Sequence, residues 1–269
     1  MPQANTLPFL AAMLAASAVA GVAWRAKSLT GSGAFAAAGV GTMALVAGIP
    51  WGALLIGWFV LTAAASRAGR AQKAARTAGI VAKPAARDAW QVLANGGVFA
   101  LGAAVAVAAP AWAPTAALAA AGALTAAGAD TLATEFGTWW GGTPWSLRNA
   151  RRVPPGTSGA MSTVGTMAMI VGAVLLGAAA AALGLVPGSA VPVLALAGIT
   201  GAFTDTVIGA AAQERRWCAL CAMDTEQSVH ACGKPTVRVG GWGRLDNDVV
   251  NLVGSLTGAL MALMIEFAA

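Results

Sequence analysis

The chain has 269 residues, of which 58% are hydrophobic and only 10% charged, with a formal net charge of +6. A soluble domain carries about 25% charged residues, so this chain cannot cover a water-facing surface, and lipid has to be part of its solvent. The positive balance does not mark a nucleic-acid partner, because aromatic residues are not interleaved with the basic ones.

Apolar runs of roughly 17 or more residues predict membrane helices. Eight fall at about 7–24, 33–48, 51–66, 91–109, 113–135, 158–184, 189–212 and 247–268. They predict an all-α integral membrane bundle, a single polytopic domain over 1–269 with no separate soluble part. Its 34 glycines suit close helix contact in lipid, where small residues let backbones approach. The first run ends in a small-residue stretch like a signal-peptide cleavage site. It lacks the positive segment that precedes such peptides, so it reads as a membrane helix. Only Ile49-Pro50 separates the second and third runs, so they are either two short spans or two half-helices, giving six to eight crossings.

Every Lys and Arg lies in alternate connections: Arg25/Lys27, Arg67 to Arg87, Arg148/Arg151/Arg152, and Arg215 to Arg244. With eight spans these share one face, and the positive-inside rule makes it cytoplasmic. The 66–91 loop, with six positive charges and one negative, reads either as a headgroup-facing segment or as a cationic lip that collects phosphorylated substrates.

Ionisable residues inside spans are costly and are functional candidates. Asp130 and Glu135 lie in the fifth run and Asp205 in the seventh. At 100° per residue, Asp130, Thr131, Thr134 and Glu135 share one helix arc. Asp205 shares a face with Gly198, Gly201 and Gly209. Carboxylates on two helices suit Mg²⁺, a hard cation that keeps water or phosphate in its shell; the alternative is polar packing across the bundle.

Arg148, Arg151 and Arg152 lead into Gly156-Thr157-Ser158-Gly159, and then into a predicted helix. Backbone N–H groups at such a start form an anion site, although this tetrapeptide alone is often only a turn. Ser158, Ser162 and Thr166 would continue a polar stripe. Lys27 and Ser32 belong to an earlier, similar Gly/Ser/Thr segment, so the chain contains either a decayed internal repeat or a compositional bias. Asn247 and Asn251 share a face of the last span with Gly254, Ser255 and Gly258, predicted to point inward. Gln91 and Asn95 begin the fourth span similarly.

All three cysteines lie in the 213–244 loop, as Cys218-x-x-Cys221 and His230-x-Cys232, with the chain's one histidine. Four such ligands suffice for a closed, structural Zn²⁺ site; the alternative is a set of free thiols.

From about Lys27 to Gly258 the chain resembles the integral membrane family known as domain of unknown function ninety-two. That family includes transmembrane protein nineteen and the phytyl-phosphate kinases of tocopherol synthesis. The resemblance is carried by Lys27-Ser-Leu-Thr-Gly-Ser-Gly, Gln91-Val-Leu-Ala-Asn-Gly-Gly, Ala129-Asp-Thr-Leu-Ala-Thr-Glu-Phe-Gly, Pro155-Gly-Thr-Ser-Gly-Ala, Phe203-Thr-Asp-Thr-Val-Ile-Gly-Ala and Asn247-Asp-Val-Val-Asn-Leu. It implies a CTP-dependent kinase that converts a prenyl monophosphate, of phytyl or geranylgeranyl type, to the diphosphate. On that reading Asp130, Glu135 and Asp205 hold Mg²⁺ and phosphates. Gly156 to Gly159 cradle the donor, Lys27, Arg148, Arg151 and Arg152 supply cations, and the prenyl tail enters between helices from lipid. The cysteine segment resembles bacterial and archaeal members rather than the plant enzymes, which argues against catalysis by the thiols. A CTP-dependent lipid-phosphate cytidylyltransferase and a small-molecule transporter are the competing functions.

Overall fold

The computed structural model describes residues 7–81 and 86–268; Lys83 of the basic loop lies outside them. Among the described residues there are nine α-helices: α1 (Phe9–Arg25), α2 (Gly31–Ala47), α3 (Ile49–Arg67), α4 (Arg70–Arg76), α5 (Ala89–Ala108), α6 (Ala113–Trp140), α7 (Thr163–Ala182), α8 (Val191–Ala211) and α9 (Asn247–Ala268). Six of them, α3 and α5 to α9, are long and apolar enough to cross a bilayer, while α1 and α2 are shorter apolar helices of 17 residues. The predicted runs thus correspond to eight continuous helices; the third is long enough to span, whereas the second, at 17 residues, is one of the two shorter ones. Gly48 alone separates α2 from α3, at φ 146° and ψ 161°, a conformation open essentially to glycine.

Two boundaries differ from expectation. Helix α6 continues past 135 to Trp140, and α7 starts at Thr163 rather than 158. The later start follows from pairing: β1 (Trp145–Ser146) and β2 (Ala160–Met161) form a two-stranded antiparallel ribbon. Ser162 then caps α7, accepting from the Gly165 N–H at 3.1 Å. Ser158 is therefore not on that helix, and the polar stripe expected through Ser158, Ser162 and Thr166 does not form.

Helix α6 is the central element, buried almost continuously from Ala116 to Ala129. It is packed by α5, α7, α8 and α9 and, over fewer residues, by α3. Glycines allow the closest contacts. A Cβ on Gly122 would lie 2.6 Å from the Gly258 carbonyl oxygen, and one on Gly201 would lie 2.5 Å from the Ala126 Cβ and 2.6 Å from the Gly254 oxygen. This small-residue seam joins α6, α8 and α9 as expected in lipid.

The four basic connections meet at one end of the bundle. Arg67 donates to the Ala26 oxygen and the Ser28 hydroxyl. Segment 28–30 exchanges backbone bonds with Arg87, and Arg76 donates to the Trp139 and Gly142 oxygens. The Glu226 N–H donates to the Ile80 oxygen. The last connection carries a three-stranded antiparallel sheet, ordered β4 (Met223–Thr225), β3 (Arg215–Cys218), β5 (Val237–Gly240).

Candidate functional site

Helices α6 and α8 both run toward the basic end. Asp130 and Asp205 each lie one turn beyond the Ala126–Gly201 contact, which brings the two carboxylates into one region. Asp205 feels the negative charge of Asp130 and also that of Glu226. Its Oδ2 is buried and has no hydrogen-bond partner among the described residues. Two neighbouring acids, one with an orphaned oxygen, fit a hard cation that completes its shell with water and phosphate. Glu226, on the loop after β4, is an acid that sequence periodicity could not bring to this place.

Glu135 departs from the expectation. Its carboxylate forms an ion pair with the buried Lys73 ammonium and accepts from the Ser66 hydroxyl at 2.5 Å. It belongs to the α3–α4–α6 junction, and among the described residues the three carboxylates do not converge into a metal-sized group. The hydroxyls of the predicted arc do not join either: Thr131 donates back to the Ala127 oxygen at 2.8 Å, and Thr134 is exposed.

Gly156–Gly159 form a folded loop ahead of β2 rather than the first turn of a helix. Both glycines have positive φ, 88° and 70°. A Cβ on Gly159 would lie 2.2 Å from the Ala210 N, and one on Gly156 would lie 2.8 Å from the Thr77 Cγ2. The loop is thus seated on the end of α8, five residues beyond Asp205. The Ser158 hydroxyl binds the Glu226 carboxylate, which also accepts from Gln213 at 3.0 Å, and Thr157 donates to the Pro154 oxygen. Arg148, Arg151 and Arg152 are exposed around this loop. Arg152 stacks on Trp145 at 4.6 Å and donates to the Thr143 oxygen.

Lys27 lies elsewhere, beside Arg67, Arg70 and Arg87, in a recess also lined by Ser28 and Ser66. Ser32 is bonded to Thr30, the cap of α2, at 3.1 Å. Arg87 is the cation that sequence reasoning missed as a site residue. Its carbonyl accepts from Thr30 and its N–H donates to Ser28. A Cβ on Gly33 would lie 2.1 Å from its carbonyl oxygen. Its guanidinium donates to Thr62 at 3.2 Å and faces the Trp58 and Phe59 rings at 5.5 and 5.8 Å. Burial pulls it below its ordinary value, partly offset by Glu135. A guanidinium stays protonated in proteins, so Arg87 carries its charge into this recess.

The asparagines are divided. Asn251 is half-buried and Gly254, Ser255 and Gly258 are buried, but Asn247 is exposed in the first turn of α9, which Asp246 caps by accepting from the Asp248 and Val249 N–H groups. The Asn95 side chain donates to the Gln91 oxygen of its own helix at 2.8 Å.

Cys218, Cys221, His230 and Cys232 each offer a ligand atom, all within 4.8 Å of one another. The β3–β4 turn presents the first two. The Cys232 thiol is drawn down to about 6, chiefly by its hydrogen bond with His230, while Cys221 is pushed up to about 11, chiefly by its bond with Cys232. A thiolate beside an imidazole and two further thiols is a donor set that fits Zn²⁺.

The model of the integral membrane protein DUF92 family matches residues 14–259. Protein PGR of Arabidopsis thaliana is 26% identical over 91% of this chain and 91% of its own. Protein VTE6, chloroplastic, of the same plant, is 26% identical over 51% of this chain and 34% of its own length. No solved structure matches.

Proposed function

The chain belongs to the DUF92 family of integral membrane proteins, and from that premise we propose that it is a CTP-dependent prenyl-phosphate kinase. The observation that carries this reading is the placement of Asp130 and Asp205 beneath the Gly156–Gly159 loop, at the end of the bundle where the basic connections gather. The acceptor phosphate oxygen attacks the γ-phosphorus of CTP. The bond to the β-phosphate oxygen breaks, CDP leaves, and the acceptor becomes a diphosphate. A monophosphate is nucleophilic at neutral pH, so the site needs positioning and charge neutralisation rather than a strong base.

Asp130 and Asp205 would hold Mg²⁺, which neutralises the donor phosphates when bound. Arg148, Arg151 and Arg152 surround the loop that receives the donor, and Asn251 lines the approach from α9. Glu135 has a different role: it fixes Lys73 and the start of the basic loop. The basic end faces the cytoplasm under the positive-inside rule. Zn²⁺ on Cys218, Cys221, His230 and Cys232 would close the β3–β4 turn as a structural ion, with no open position for chemistry.

The assay incubates purified protein with labelled CTP, Mg²⁺ and geranylgeranyl monophosphate. A kinase releases CDP, a cytidylyltransferase releases pyrophosphate, and a transporter releases neither. Pyrophosphate as the product would replace the kinase reading with the cytidylyltransferase one.

A further inference from the structure

An apolar cavity of about 180 Å³ lies between α1, α2, α3 and α5. Its walls are aliphatic, from Val19 and Ala20 on α1, Val40 and Leu45 on α2, and Leu55 and Ile56 on α3. Along α1 the lining runs from Ala15 to Ala23, about 12 Å at 1.5 Å per residue. Arg87 and Phe59 form its end, and the same two residues line the adjoining recess with Lys27, Ser28, Ser66, Arg67 and Arg70. A greasy cleft thus opens through one guanidinium into a pocket of four cations. Among the described residues no carboxylate lines that pocket, and the nearby Glu135 pairs with Lys73.

A second feature concerns Lys27. It holds φ 57° at the end of α1, where its N–H and that of Ser28 close the helix on the Trp24 and Ala23 oxygens. Glycine is the usual residue there, and a side chain is strained in the left-handed region. A long cation stands where glycine would be easier, at the rim of the pocket. Trp58, under Arg87, also packs against Gly128, so the pocket reaches the central helix α6.

We infer that this cavity and its cationic mouth are the acceptor site, holding a single-tailed amphiphile, a prenyl monophosphate. The tail lies between α1, α2, α3 and α5, and the phosphate lies among Lys27, Arg67, Arg70 and Arg87. The identity of the occupant rests on the kinase reading; the site rests on the join of an apolar cleft to a pocket lined by four cations. Arg87 orients the phosphate at the boundary between tail and head, and Lys27 and Arg70 close over it from the exposed rim.

The test measures binding of labelled geranylgeranyl monophosphate to the full chain in detergent, without CTP or Mg²⁺. Competitors are geranylgeraniol, inorganic phosphate and phosphatidic acid. Lys27→Gly relieves the left-handed backbone and Arg70→Gln alters an exposed residue, so both variants stay folded. Each should weaken binding about tenfold, as for a lost charged hydrogen bond, while leaving geranylgeraniol competition unchanged. Ala20→Phe, which fills the cleft, should abolish binding. Wild-type affinity in all three variants overturns the site and leaves the kinase reading intact if CDP is still made. Phosphatidic acid bound through these residues in place of the prenyl phosphate overturns the assigned occupant. Binding that needs these residues, in a protein that makes no CDP, supports the site and removes the kinase reading.

Discussion

Lys73→Met separates two roles for Glu135. The Lys73 ammonium donates to the Ala65 oxygen at 2.7 Å and the Ser66 oxygen at 3.0 Å, and pairs with Glu135. The first two acceptors are carbonyls in the last turn of α3, where no helical donor remains. Removing one partner of a buried ion pair costs about 3–5 kcal/mol. The Glu135 side chain is 22% exposed and keeps its Ser66 bond, so about 3 kcal/mol, the lower end of that range, is expected. Glu135→Gln retains hydrogen bonding and should cost about 1–2 kcal/mol. The double variant should be more stable than the sum of the singles by about 1–2 kcal/mol. SDS unfolding in mixed micelles reads these values through tryptophan fluorescence, with Trp139 reporting on α4 through its bond to Gln72. In the same samples, the Mg²⁺ concentration for half-maximal turnover should not move in Glu135→Gln. A tenfold shift there, with unchanged stability, would refute the ion-pair role and return Glu135 to the metal.

Asp130→Asn and Asp205→Asn should each lower turnover per folded protein by orders of magnitude. Their double variant should lose little more, because residues acting as a unit are non-additive; wild-type turnover in folded Asp130→Asn would remove it from the site. Gly159→Ala forces a left-handed side chain against the Ala210 backbone and should cost more than about 2 kcal/mol, with thermal unfolding as the check. In metal-free protein, Cys232 should alkylate at a rate that rises through about pH 6 and then levels, because the reactive thiolate populates above the thiol's value near 6. Added zinc should block the reaction at about one ion per chain, and a stoichiometric protein without zinc by elemental analysis would count against the metal.

The helices were legible because a run of apolar residues in lipid has only one way to satisfy its backbone. The gathering of basic connections was legible from their alternation. The ligand spacing of Cys218, Cys221, His230 and Cys232 brought that cluster together as read, since all four lie within one short loop. Long-range pairing was not legible. Glu135 shares a helix arc with Asp130, but Lys73, 62 residues away, claims its carboxylate, and α4 had no apolar period to announce it. Arg87 read as one charge among six in a loop; its role follows from backbone pairing with Ser28 and Thr30. The late start of α7 was missed because the Gly-Thr-Ser-Gly segment carries no hydrophobic period to separate loop from helix.

The shortness of α1 and α2 has a consequence for the surrounding bilayer. Seventeen residues rise about 26 Å, whereas the hydrocarbon layer is about 30 Å thick. Lipid meeting that flank must thin locally to match, at fractions of a kcal/mol per Å. Headgroups along that flank would be drawn toward the midplane. An amphiphile leaving the leaflet there has its phosphate lowered toward the cations before it leaves the lipid, so membrane thickness itself would set how easily the protein is loaded.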